Sequence, residues 1–178
     1  MTEPRLFRHG VIVAVLILVA DQLSKWWVLT VLFGLAEPIT TASWAPPIRI
    51  TGFLDFAMVW NYGISFGLLA GDTPLARWGL SAVAAAVVVA LLVWLARNDR
   101  GLVALGVGLI IGGAIGNVID RLRFGAVADF LHFHAGEYSF WVFNVADSAI
   151  SIGVMLLIAD SLFGRRTHPV TAQQRDRM

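Results

Sequence analysis

The chain has 178 residues, 58% of them hydrophobic and 14% charged, with a mean hydropathy of +0.76, which is too apolar for an ordinary soluble domain and suits a bilayer. Its formal charge of +1 comes without a basic face interleaved with aromatics, so nucleic acid is not an expected partner. There is no cysteine, which excludes thiol catalysis, disulfides, iron–sulfur clusters and thiolate zinc sites and leaves any chemistry to oxygen and nitrogen groups.

The length suits a single domain, residues 1–178, and no Ser/Gly- or Pro-rich linker divides it. Four segments, about 10–33, 74–96, 101–119 and 141–163, have the roughly 20-residue length that a hydrocarbon core of about 30 Å demands. The first imitates a secretory signal, with Arg5 and Arg8 ahead of an apolar run. That run continues past Lys25 to Phe33 with no small-x-small site after it, so it reads as a retained helix. Asp21 and Lys25, four residues apart on one helical face, can neutralise each other inside the span, where an unpaired charge would cost several kcal/mol. Ser24 and Lys25 are adjacent and point about 100° apart, which argues against a Ser–Lys dyad.

The loop 34–73 carries Pro38, Pro46 and Pro47 and then a β-rich stretch, Ile48–Trp60, expected to lie as a small sheet at the interface. Trp44, Trp60, Trp78 and Trp141 fit an aromatic belt on that side. The third span holds Ala104, Gly108, Gly112 and Gly116 at a strict four-residue spacing, a stripe for close helix packing. It ends in Gly113, Asn117, Asp120 and Arg121, where an Asp120–Arg121 network is expected to order the next loop.

That loop, 120–140, contains Val127-Ala128-Asp129-Phe130, and also His132 and His134, which alternate as in a strand and read as exposed residues rather than metal ligands. The fourth span opens with Phe143-Asn144-Val145-Ala146-Asp147-Ser148. Asn144, Asp147, Ser148 and Ser151 share one face, an inward polar stripe. Counted as helix, Asp147 lies roughly 9 Å below Trp141. A short connection can bring Asp129 and Asp147 together. Two carboxylates in contact share one proton, so that one serves as base toward water and the other as acid toward a peptide carbonyl. No metal is needed, and there is no HExxH or similar ligand set.

Arg5, Arg8, Arg97, Arg100, Arg165, Arg166, Arg175 and Arg177 fall on one side of a chain that crosses four times, which predicts cytoplasmic termini, a cytoplasmic basic tail at 164–178, and both large loops outside. A proton-coupled transporter is the weaker alternative, since only Asp21 and Lys25 lie deep and no inverted repeat is evident. A purely structural scaffold would leave the polar stripe of the fourth span unexplained.

Five blocks in order resemble the lipoprotein signal peptidases (signal peptidase II): Asp21-Gln22-Leu23-Ser24-Lys25, Asn61-Tyr62-Gly63-Ile64-Ser65-Phe66-Gly67, Gly113 to Arg121, Val127 to Phe130, and Phe143 to Ser148. The resemblance implies Asp129 and Asp147 as the catalytic pair, with Asp21, Lys25, Asn61, Gly63, Asn117, Asp120, Arg121 and Asn144 as substrate-orienting or structural groups. Ser65 stands where the family commonly has alanine. The resemblance also implies an all-α membrane fold of four helices with a small extracytoplasmic β-cradle, and no cofactor. It implies a monomer in the bacterial cytoplasmic (inner) membrane, in contact with its lipids, with the active site toward the outer leaflet. The implied substrate is a prolipoprotein bearing a diacylglyceryl-cysteine, cut on the amino side of that cysteine, and the implied inhibitor is globomycin.

Overall fold

A computed structural model describes residues 4–63, 73–136 and 138–163. The Ser65 position and the basic tail with Arg165, Arg166, Arg175 and Arg177 lie outside the described residues. Helix α1 (Pro4–Trp26) runs on into a π-helical segment, Trp27–Leu32. Strands β1 (Ile48–Arg49) and β2 (Leu54–Asn61) follow, then α2 (Pro74–Leu95), α3 (Gly101–Phe124), strands β3 (Val127–Ala135) and β4 (Tyr138–Phe143), and α4 (Val145–Phe163). Each of the four helical segments is long and apolar enough to cross a membrane. The strands form one antiparallel sheet in chain order, β1-β2-β3-β4.

Three boundaries differ from the sequence expectation. Helix α1 is already helical at Pro4, and α3 runs to Phe124 rather than 119, because polar and basic residues continue a helix beyond its apolar length. Gly125 stops α3 by turning left-handed, at φ 91°, with its N–H on the Arg121 carbonyl at 3.1 Å. The fourth helix begins at Val145 rather than 141, since Tyr138–Phe143 pairs with β3 as a strand. Trp141 is therefore a strand residue, and a depth for Asp147 counted along a helix from it does not apply.

Helix α3 is central, with 67% of its span buried against 11–22% for the other three. Its glycines explain how. A Cβ on Gly108 would stand 2.5 Å from the Gly10 carbonyl oxygen, and one on Gly112 would stand 2.5 Å from that of Ala14, so this stripe is where α1 lies backbone to backbone. A second face, not evident in the sequence, does the same for α4. There a Cβ on Gly113 would meet the Ala146 carbonyl at 2.5 Å, and Gly106 and Gly153 face each other. Between α1, α2 and α3 an apolar cluster of Ala14, Leu95, Val103, Ala104, Val107 and Ile111 fills the interior.

At the end opposite the Arg97–Arg100 turn, the sheet is joined to α3 and α4. Trp44, Trp78 and Trp141 are exposed, as an interfacial belt requires, but Trp60 is not part of it. Its ring packs 5.3 Å from that of Phe124 and its indole N–H donates to the Ser43 carbonyl at 3.0 Å, so it pins the loop 34–47 to the end of α3.

The α1–α3 contact gives a direct test. Gly112→Ala should lower stability by about 1–3 kcal/mol, the cost of overpacking, read as a fall in unfolding midpoint in detergent micelles. Gly79→Ala, whose Cβ would meet nothing within 4 Å, should leave the midpoint unchanged or raise it slightly.

Candidate active site

The interior of the bundle near the sheet holds a connected set of polar side chains, and Lys25 is its hub. Only 3% exposed, its ammonium lies 2.8 Å from Asp21 Oδ2 and 2.7 Å from Asp120 Oδ2, and it donates to Asn117 Oδ1 at 3.3 Å. The Asp21–Lys25 pair expected within α1 is present, and α3 completes it. Asp120 is thus paired with Lys25 rather than with its sequence neighbour Arg121, because residues 120 and 121 point to different sides of the helix. The loop-ordering expected of Asp120 is found, with Oδ2 accepting the backbone N–H of Ala128 at 3.1 Å. Asp21 does the equivalent for α4, Oδ1 accepting the N–H of Ala146 at 3.0 Å.

Asp147 is held by a capping box. Asn144 caps α4: its Oδ1 accepts the Asp147 N–H at 2.9 Å while Asp147 Oδ2 accepts the Asn144 N–H at 3.3 Å. The other carboxylate oxygen, Oδ1, accepts from Asn117 Nδ2 at 2.8 Å. Asp129 sits on β3, buried, where Asn144 Nδ2 donates to its Oδ1 at 2.7 Å and Asn61 Nδ2 donates to its Oδ2 at 3.0 Å. Asn61 pairs with Val127 across β2 and β3, so Asp129 is its diagonal neighbour on the same face. The ladder slips between Phe56 and Val59, and this irregularity sets Val59 opposite Asp129. Gly63 explains the direction of the Asn61 amide: its N–H donates to Asn61 Oδ1 at 2.9 Å, which turns Nδ2 toward Asp129. With φ at 122° and the Leu80 side chain where a Cβ would stand, position 63 has to be glycine.

The two candidate carboxylates therefore hang on one side chain, Asn144, which donates to Asp129 and caps through to Asp147. They are also coupled by charge. Burial raises the Asp129 carboxyl most and the neighbouring charge of Asp147 raises it further, against the hydrogen bonds from Asn61 and Asn144, so that it moves from 3.8 to about 7. Arg121 is half-buried, with Nη1 on the Asn117 carbonyl at 3.4 Å, and its charge acts on Asp147 and Asp129 as well as on Asp120. Its Nε is buried without a partner among the described residues.

Every residue singled out in the sequence for this site is thus in the network or beside it. Two readings need correction. Ser151 does not belong to the inward stripe: it faces outward, one turn beyond Asp147, while Asn144 is fully buried. His132 and His134 are not exposed loop residues but lie on β3. His134 Nε2 is 3.2 Å from Asp55 Oδ2, and His132 Nε2 is 2.7 Å from Ser139 Oγ. Gln22 is the residue that sequence reasoning passed over. Its amide donates to Asp21 Oδ2 at 3.2 Å, to Asp120 Oδ1 at 3.0 Å and to the Gly116 carbonyl at 3.3 Å. Its spacing next to Asp21 was the available signal. Among the described residues no group of three or more His, Cys, Asp or Glu side chains could hold a metal ion.

Comparison with known proteins follows this geometry closely. A family model described as signal peptidase (SPase) II matches residues 13–163. The lipoprotein signal peptidase of Methylorubrum extorquens is 48% identical over 156 residues, covering 88% of this chain and 86% of that protein. The one from Nitrobacter hamburgensis is 46% identical over 158 residues, covering 86% and 92%. A solved bacterial membrane enzyme structure is similar with a TM-score of 0.71 at 26% identity, covering 88% of this chain and 94% of that one.

The charge balance at Asp129 can be measured without an activity assay. The titration midpoint of its carboxyl, read by carboxyl-region infrared or 13C NMR in micelles, should lie near 7 in the intact protein. Asn61→Ala removes a hydrogen bond that favours the ionised form, so the midpoint should rise. Asp147→Asn removes a repelling charge, so it should fall.

Proposed function

Because the chain belongs to the signal peptidase II family, we propose that it is a membrane aspartic endopeptidase that removes the signal peptide from diacylglyceryl-modified prolipoproteins, with Asp129 and Asp147 as its catalytic pair. The observation that carries the assignment of the pair is their shared suspension from Asn144 together with the raised carboxyl of Asp129. Near neutral pH that arrangement keeps one proton available between two carboxylates.

In this reading Asp147, ionised, takes a proton from water as its oxygen attacks the scissile carbonyl carbon. Asp129 gives its proton to the carbonyl oxygen, forming the tetrahedral intermediate. On collapse Asp147 passes its proton to the amide nitrogen as the C–N bond breaks, and the hydroxyl proton of the re-forming carbonyl returns to Asp129. The products are the free amine of the lipidated cysteine and the carboxylate of the signal peptide. Arg121, with an unpartnered Nε beside the pair, orients the substrate carbonyl. Asn117 and Asn61 hold the carboxylates in place, and Lys25, Asp21 and Asp120 hold the elements that carry them. Every group of the site comes from one chain, so a monomer suffices.

The positive-inside asymmetry of Arg5, Arg8, Arg97 and Arg100 supports cytoplasmic termini in a bacterial inner membrane. The pair would then stand toward the outer leaflet, at the end of the bundle that bears the sheet. A lipid-anchored substrate would reach such a site by lateral diffusion, and globomycin would block it by occupying the same space.

Asp129→Asn and Asp147→Asn should each lower the cleavage rate of a lipidated prolipoprotein by about three orders of magnitude or more, as for members of a catalytic unit, while the purified proteins keep their unfolding midpoint. Normal processing by either variant would overturn the assignment. The intact enzyme's rate should also decline as pH rises through about 7, where Asp129 loses its proton.

A further inference from the structure

Three polar side chains that the site above does not use stand side by side on the sheet: Asp55 on β2, His132 on β3 and Ser139 on β4. The ladder fixes their order, since Asp55 is paired directly with His132, and Ser139 with His134. Ser139 Oγ lies 2.7 Å from His132 Nε2, while the other ring nitrogen, Nδ1, lies 4.0 Å from Asp55 Oδ2. Hydroxyl, imidazole and carboxylate thus follow one another in the order that activates a serine as a nucleophile. Satisfying polar groups does not account for the cluster. Ser139 is exposed and has water to bond with, whereas Asp55 Oδ1 and His134 Nε2 are buried without a hydrogen-bond partner among the described residues. A fold rarely leaves such atoms unpaired.

We propose that Ser139, His132 and Asp55 form a second hydrolytic centre, a serine esterase site for small, neutral, apolar carboxylic esters. It does not rest on the function proposed above. Asp55 favours the tautomer with its proton on Nδ1, which leaves Nε2 free to accept the Ser139 proton. Their 4.0 Å separation is of the kind that shortens once the ring is charged. Attack by Oγ on the ester carbonyl carbon forms the acyl-serine, and His132 passes the hydroxyl proton to the departing alcohol as the C–O bond breaks. Water, giving a proton to His132, then releases the carboxylic acid and restores Ser139. The N–H of His134 donates to the Phe53 carbonyl beside β2 at 3.0 Å. The Ser139 N–H across the ladder therefore points to the free edge of β4, where it can meet the developing oxyanion. The acyl group also has a seat. A hollow of about 290 Å³ adjoins Ser139 and His134, walled by Phe53, Phe133, Tyr138 and Phe140. No Lys or Arg lines it, so it suits a neutral ester.

Two measurements on the purified full chain in micelles test this: hydrolysis of p-nitrophenyl butyrate, and covalent capture by a fluorophosphonate located by peptide mass spectrometry. The intact protein should hydrolyse the ester above the micelle background and carry the label on Ser139. Ser139→Ala should lose both and keep its unfolding midpoint. His132→Gln should lower ester hydrolysis about a hundredfold or more. Asp55→Asn should lower kcat with KM unchanged, as for a residue that acts through the imidazole. The proposal is overturned if Ser139 takes no label, if the intact protein gives no turnover above background, or if Ser139→Ala keeps the turnover. Should Ser139→Ala fail to fold, the position of the label in the intact protein and the loss in His132→Gln decide.

Discussion

The Lys25 ammonium, buried between Asp21 and Asp120, is the constraint on which the rest of the site depends. Three ionisable groups, two carboxyls and an ammonium, meet inside the bundle. Buried charges survive only when paired and hydrogen-bonded. The carboxyl oxygens are met by further donors: Gln22 to both groups, the Ala146 N–H to Asp21 and the Ala128 N–H to Asp120. Two of these donors are the backbone groups that begin α4 and β3. Folding the helices therefore also fixes where the next two elements start, because misplacing either would leave a carboxylate oxygen short of a partner.

A local repeat follows from this. The triplet Val-Ala-Asp occurs three times: one copy, at 19–21, lies within α1 and supplies Asp21 itself, and the other two, at 127–129 and 145–147, lie on a strand and in the first turn of a helix. In both, the alanine N–H is bound by a carboxylate paired with Lys25, and the alanine side chain is fully enclosed, 3% exposed at Ala128 and 0% at Ala146. The aspartate one residue further on is then delivered to Asn144, from β3 on one side and from α4 on the other. Secondary structure differs between the two copies, yet the local task is the same: a small residue lets the backbone come up to the ion cluster, and its neighbour is presented beyond it.

How far this was legible in the sequence depends on the range of each interaction. The i, i+4 pair of Asp21 and Lys25, the four-residue stripe from Ala104 to Gly116 and the face shared by Asn144 and Asp147 are written in helical spacing, and all three are found. Asp120 was assigned the wrong cation because adjacency in sequence suggested Arg121, whereas the true partner lies on another helix, and no spacing rule spans that distance. The end of strand β4, Trp141–Phe143, was read as helix because it is an apolar run directly continuous with α4, and only pairing with β3 separates the two. Trp60 and the His132–His134 pair were misjudged for a similar reason, since their surroundings come from residues not adjacent in sequence: Phe124 and Ser43 for Trp60, Asp55 and Ser139 for the histidines.

The four acids of the site divide by the kind of partner they have, and this division bears on which of them can do chemistry. Asp21 and Asp120 face an ammonium at under 3 Å, so each is tied into a pair with Lys25 that fixes its position. Asp129 and Asp147 are held instead by neutral amides, from Asn61, Asn144 and Asn117. An amide donor fixes a carboxylate in space without supplying a countercharge, so the proton at Asp129 stays in play near neutral pH. Exchanging the two kinds of partner would give the opposite result: an ammonium beside Asp129 would hold it ionised and idle. The bundle thus binds the Lys25 cluster to the backbone one residue upstream of each proposed catalytic group, where it positions the chain, while Lys25 and Arg121 reach the Asp129 carboxyl through space rather than by a hydrogen bond.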